Sequence, residues 1–119
     1  MKIKYDAVHA DAPGVLGALW RNMAVAENAL AEKLLSYPLG SAITNDDSAW
    51  HLEADGDTLN LVHSSIVEGK AVNQASRFDI DLAWVDVEEE GLIVYTDEVL
   101  AVADSFDPSK LIDIAAMQG

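Results

Sequence analysis

The chain contains no cysteine, only seven basic residues and no apolar run of membrane-spanning length. The missing cysteine removes disulfides, thiol catalysis and thiolate zinc sites together, and suits the cytoplasm. A bilayer span needs about 18 consecutive apolar residues, and no stretch here approaches that. Met1 to Asp11 also lacks the long apolar core of a signal peptide, so the expected location is the cytoplasm of a bacterial cell. Seven bases leave little with which to hold phosphate. Gly69-Lys70 has no preceding glycine spacing of a P-loop, and Ser64-Ser65 lies in no G-x-S-x-G elbow. The sequence therefore offers no catalytic motif, and the expectation is a protein that is not an enzyme and carries no cofactor.

Acid is abundant, and it is unevenly placed. The chain has 21 Asp and Glu and a net charge of −14. Residues 1–40 balance Asp6, Asp11, Glu27 and Glu32 against Lys2, Lys4, Arg21 and Lys33. Residues 41–119 hold the other 17 acids (21 − 4) against Lys70, Arg77 and Lys110, so the whole −14 sits there. Such a surface repels a phosphate backbone or an anionic membrane and attracts a basic protein. Salt adaptation is expected to coat all of a chain, whereas here the acid is confined to two thirds of it.

With half of its 119 residues hydrophobic, the chain is expected to fold as one α+β domain over residues 1–119. Lys2 to Val8 alternates as a short strand. Asp11-Ala12-Pro13-Gly14 reads as a helix start. Leu16, Leu19, Trp20, Met23, Leu30 and Leu34 then recur at helical spacing from Val15 to Ser36. Arg21, Asn22, Glu27, Asn28, Glu32 and Lys33 take the outer face, and Tyr37-Pro38-Leu39-Gly40 ends the helix. Asp55-Gly56 is read as the two central residues of a type I′ turn pairing Leu52 with Leu59 and Trp50 with Leu61, with Glu53 and His51 outward. The strand runs on to Val67, and Glu68-Gly69 turns it.

Arg77 to Glu88 is read as a further strand. A bulge near Ala83-Trp84 brings Phe78, Ile80, Leu82, Val85 and Val87 to one face and leaves Asp79, Asp81, Asp86 and Glu88 outward. Glu89-Glu90-Gly91 then turns the chain and Leu92 to Thr96 returns as the last strand, placing Trp84, Ile93 and Tyr95 beside the acids. Thr96-Asp97-Glu98 caps a helix to about Phe106, and Asp107-Pro108 starts another ending near Met117. The expected architecture is a long N-terminal helix packed on an antiparallel meander of about four or five strands, with short C-terminal helices.

Two metal patterns fail on spacing or chemistry. Asp86 to Asp97 follows an EF-hand loop loosely, but glutamates stand where short acids are needed and the flanks are not helical. His9, His51 and His63 are too dispersed for a local metal motif, and His63 falls on the apolar face of the hairpin. His51 beside Glu53 is an ordinary pairing of polar neighbours.

The stretch from Asp79 to Glu98 holds eight acids and is the candidate site. Alternate residues on a strand repeat about every 6.6 Å, against about 3.4 Å per charge on one DNA strand, so two acidic rows match one phosphate strand in density. The expected binding residues are Asp79, Asp81, Trp84, Asp86, Glu88, Glu89, Glu90 and Tyr95, the aromatics acting as anchors in the charged field. In size and charge the chain resembles acidic nucleic-acid mimics, such as phage anti-CRISPR and antirestriction proteins, and nuclease immunity proteins. That likeness implies an inhibitor occupying a basic, nucleic-acid-handling protein. The alternatives are a structural or assembly subunit that associates through its neutral helix, and a small-ligand binder or enzyme with a site assembled from distant residues.

Overall fold

The computed structural model describes residues 2–3, 14–76 and 89–117, and it is α+β. The strand expected over residues 77–88 lies outside the described residues, as do Lys4 to Val8 of the first strand. The elements are β1 (Lys2–Ile3), α1 (Gly14–Leu34), β2 (Ser41–Asn45), β3 (Ser48–Asp55), β4 (Thr58–Val67), β5 (Lys70–Ser76), α2 (Glu89–Asp104) and β6 (Leu111–Asp113). Short 3₁₀ turns at Pro108–Lys110 and Ile114–Met117 flank β6.

Strands β2 to β5 form an antiparallel meander. Strand β6 adds antiparallel to the free edge of β2, and β1 runs parallel beside the start of β4. Both helices cover one face of this sheet. Trp20, Met23, Leu30 and Leu34 of α1 meet Ile43, Trp50, Leu52, Leu59 and Leu61 of the sheet and Leu92, Tyr95, Val99 and Val102 of α2. The other face carries a small cluster in which Met117 packs on Ala42 and Ala49.

The central hairpin keeps the expected faces in a different register. Asp55 pairs with Thr58, Leu52 with Leu61, Ala54 with Leu59 and Trp50 with His63. The loop is thus Gly56-Asp57, with Gly56 at φ +60 in the first central position. A type II′ turn wants glycine there, and the Thr58 hydroxyl donates to the Asp55 carbonyl at 2.8 Å. The slip is two residues, and side chains alternate with period two, so Trp50, Leu52, Leu59 and Leu61 still point into the core. Glu68 and Gly69 both have positive φ, as a type I′ turn requires.

Three expectations about the C-terminal part are corrected. Glu89-Glu90-Gly91 is not a turn and Leu92–Thr96 is not a strand, because α2 begins at Glu89. Buried Leu92, Tyr95, Thr96, Val99, Val102 and Ala103 follow helical spacing, and Glu89 and Glu90 sit at the positive end of the helix dipole. Nor does one helix run from Asp107 to Met117. Asp107 does cap a turn, accepting from the Ser109 amide at 3.0 Å with Pro108 behind it. Leu111 to Asp113 then pair with Ser41 to Ile43, which satisfies backbone groups that the edge of β2 otherwise exposes.

Candidate functional site

Of the expected binding residues, Asp79, Asp81, Trp84, Asp86 and Glu88 lie outside the described residues. Glu89 and Glu90 are exposed, on the first turn of a helix rather than at a hairpin tip. Tyr95 is a correction. It is 5% exposed and faces the core, where its hydroxyl donates to Glu27 Oε2 at 3.1 Å. It anchors α2 to α1 and is not available to a partner. Glu27 is corrected with it: expected on the outer face of α1, it is 1% exposed. A buried carboxylate needs donors, and one of them stands on α2, a helix that local sequence does not bring near.

Tyr95 also meets a partly buried histidine. His63 stacks on Trp50 at 4.8 Å and meets the Tyr95 ring edge-on at 5.5 Å. Burial holds the His63 imidazole below the ordinary histidine range, and the Glu98 carboxylate offsets part of that. The unfolded chain therefore binds a proton at His63 more readily than the folded one does. Stability from this group is present above about pH 6.5 and falls as pH drops through that value toward the lower folded-state pKa. His63→Leu is expected to make the urea midpoint less sensitive to pH between 7 and 5.5 than in the parent chain. An unchanged or steeper loss on acidification would show that His63 does not carry this dependence.

His51 and His63 lie on opposite faces of the sheet, so they cannot share a ligand. His51 Nε2 is 3.0 Å from Glu53 Oε1, with the ring 1% exposed and the Glu53 side chain 55% exposed. The histidine was expected on an open outer face; the C-terminal turn through Ile114 and Met117 covers that face. The pair ties β3 to its own surface carboxylate. Among the described residues no group of three or more His, Asp or Glu is placed to hold a metal ion. The segment from Glu89 to Asp97 is helical, so it cannot wrap a cation as an EF-hand loop does. Among them, too, no helix is long and apolar enough to cross a membrane.

Among the described residues most exposed acids gather in three places, with Glu32, Asp107 and Asp113 standing apart. Asp46, Asp47 and Glu68 occupy the two turns at one end of the meander, and Glu53, Asp55 and Asp57 occupy the other end. Glu89, Glu90, Asp97 and Asp104 line the outer side of α2, which has no basic residue. The described acids thus lie mainly on a helix face and at two sheet ends, and the acidic row expected at Asp79, Asp81, Asp86 and Glu88 lies outside the described residues.

One apolar groove opens between the helices. Leu19, Asn22 and Val25 of α1 form one wall, and Ile93, Thr96, Asp97 and Leu100 of α2 form the other. Val25 is 66% and Ile93 42% exposed. The helices run in the same direction, since Glu27 meets Tyr95 and, farther along both, the Lys33 ammonium donates to the Ala103 carbonyl. That contact places a cation at the negative end of α2, with Lys33 also 5.9 Å from the Phe106 ring centre. The exposed valine of α1 and isoleucine of α2 were visible in the sequence, but their meeting depends on two helices separated by the whole meander. Comparison with family models, with curated proteins and with solved structures found no match for this chain.

Proposed function

We propose that the chain is an acidic protein-binding inhibitor that occupies a basic, nucleic-acid-handling partner. The observation that carries this reading is the outer face of α2, where Glu89, Glu90, Asp97 and Asp104 are exposed on a helix without a single base. The acidic turns at both ends of the sheet extend the same field. Charge of this kind steers a basic partner into place and repels nucleic acid itself.

The test is capture of a partner on the immobilised protein, followed by salt and competition. The recovered protein should be basic, should release more readily as salt rises, and should be displaced by duplex DNA if the acids occupy a nucleic-acid groove. Neutralising Glu90, Asp97 and Asp104 to glutamine should slow association, whereas Glu32→Gln on α1 should change it little. Salt-insensitive capture that survives the triple neutralisation and is lost in Val25→Glu would sink the mimic reading. It would favour the assembly alternative, in which exposed Val15 and Val25 of α1 mediate association.

A further inference from the structure

The apolar groove and the acids beside it share one period. Glu90, Asp97 and Asp104 are exposed on α2 and stand seven residues apart. Ile93 and Leu100, which line the groove, are also seven apart. Seven residues are about two helical turns, or about 10.5 Å of axis. On α1 the exposed Val25 and Glu32 keep the same interval. Two roughly parallel helices with an apolar seam between them leave a slot for a third helix, and charged positions flanking such a seam select that helix by charge.

We propose that the α1/α2 groove is the docking site for a basic amphipathic helix of the partner, seated with aliphatic side chains at heptad spacing against Val25, Ile93 and Leu100 and with lysines or arginines set toward Glu90, Asp97 and Asp104. This rests on the proposed function and names its surface and partner chemistry. The occupant is chosen by charge. A second copy would bring its own α2, with five acids and no base, against the first, and like charges facing one another disfavour that pairing. Nucleic acid is repelled by the same row of acids and has no apolar face to fill the seam. A basic helix satisfies both features at once. Exposed apolar groups of this kind, rimmed by charge, mark interaction sites.

The probe is a synthetic peptide of about three heptads with leucine at a and d and lysine at e and g. Its controls are a scrambled peptide of the same composition and the equivalent with glutamate in place of lysine. Binding is measured by titration to the full chain at two salt concentrations. The lysine helix should bind about tenfold or more tighter than the scrambled peptide, and the glutamate helix should not bind.

The deciding variant is V25E/I93E. It adds two negative charges while removing the apolar contacts, and because both side chains are exposed it should keep the fold, checked by its melting curve. Binding of the lysine helix should weaken about tenfold despite the added acid. Binding that is unchanged or tighter would overturn the groove, showing that the peptide is held by charge alone; the acidic-surface reading would survive. Equal binding of the scrambled peptide would overturn it in the same way. If the parent chain self-associates and V25E/I93E disperses it, the occupant is a second copy and the proposal fails. Loss of both peptide binding and salt-dependent capture of any basic protein would instead bring down the functional reading itself.

Discussion

Replacing Trp50 with alanine should destabilise the domain by about 3–5 kcal/mol, the largest effect expected of any single substitution here. The indole is fully buried at the centre of β3, pairs across the sheet with His63 and stacks on its ring at 4.8 Å. Its removal forfeits the transfer free energy of the ring and leaves a cavity between the sheet and the two helices. A further contribution offsets part of the loss: the indole N–H is buried without a hydrogen-bond partner among the described residues, and the variant no longer buries it. Native domains are stable by about 5–15 kcal/mol, so much of the total is at stake. The measurement is urea denaturation of both proteins at pH 7.5, where His63 is neutral in the folded and unfolded states. A loss below about 1 kcal/mol would mean that this part of the core is not packed as described. The His63 imidazole should also become better solvated in the variant, so the stability lost on acidification to pH 5.5 should shrink.

Leu30→Ala should cost about 2–5 kcal/mol. Leu30 is completely buried on the sheet-facing side of α1, in the same cluster as Met23, Leu34, Leu61 and Val99. Alanine is the best helix former, so the backbone of α1 gains slightly and the whole loss reports on packing. The control stands five residues earlier on the same helix: Val25→Ala, at an exposed position, should stay within about 0.5 kcal/mol. Chemical denaturation of both variants gives the comparison. Similar losses for the two would place α1 with the wrong face toward the sheet. A large loss at Leu30 and none at Val25 would also show that the Val25 position of the groove contributes little to folding and is free for another role.

The elements that local sequence specified are those whose signal was long or doubly encoded. Helix α1 has a stripe sustained over five turns, and it forms at Gly14–Leu34 with Trp20, Met23, Leu30 and Leu34 buried as the spacing indicates. The β3–β4 hairpin combined a turn signal with alternation. Alternation fixed the faces, while the register slipped by two because parity cannot distinguish registers that differ by an even number. Helix α2 was legible as well, but only over its whole length. Leu92, Tyr95, Val99 and Val102 show a helical period across sixteen residues, while the five from Leu92 to Thr96 also satisfy a strand.

The sequence by itself determined the α+β class, the apolar side of α1 and of the central hairpin, the Glu68-Gly69 turn, and the confinement of the net charge to residues 41–119. Tertiary structure alone decided the rest. Glu27 lies in the core where Tyr95, 68 residues away, donates to it across the helix pair. His51 is buried because the C-terminal turn folds back over a sheet face that alternation marks as outward. Leu111 to Asp113 are a strand because β2 presents an edge to them. The groove exists because α1 and α2 lie side by side on one sheet face. Periodicity and turn chemistry act within a few residues, so they specify which side of an element is apolar. Which distant element supplies a hydrogen-bond donor, an edge or a second wall depends on how those elements pack, and that is settled only when the chain closes on itself.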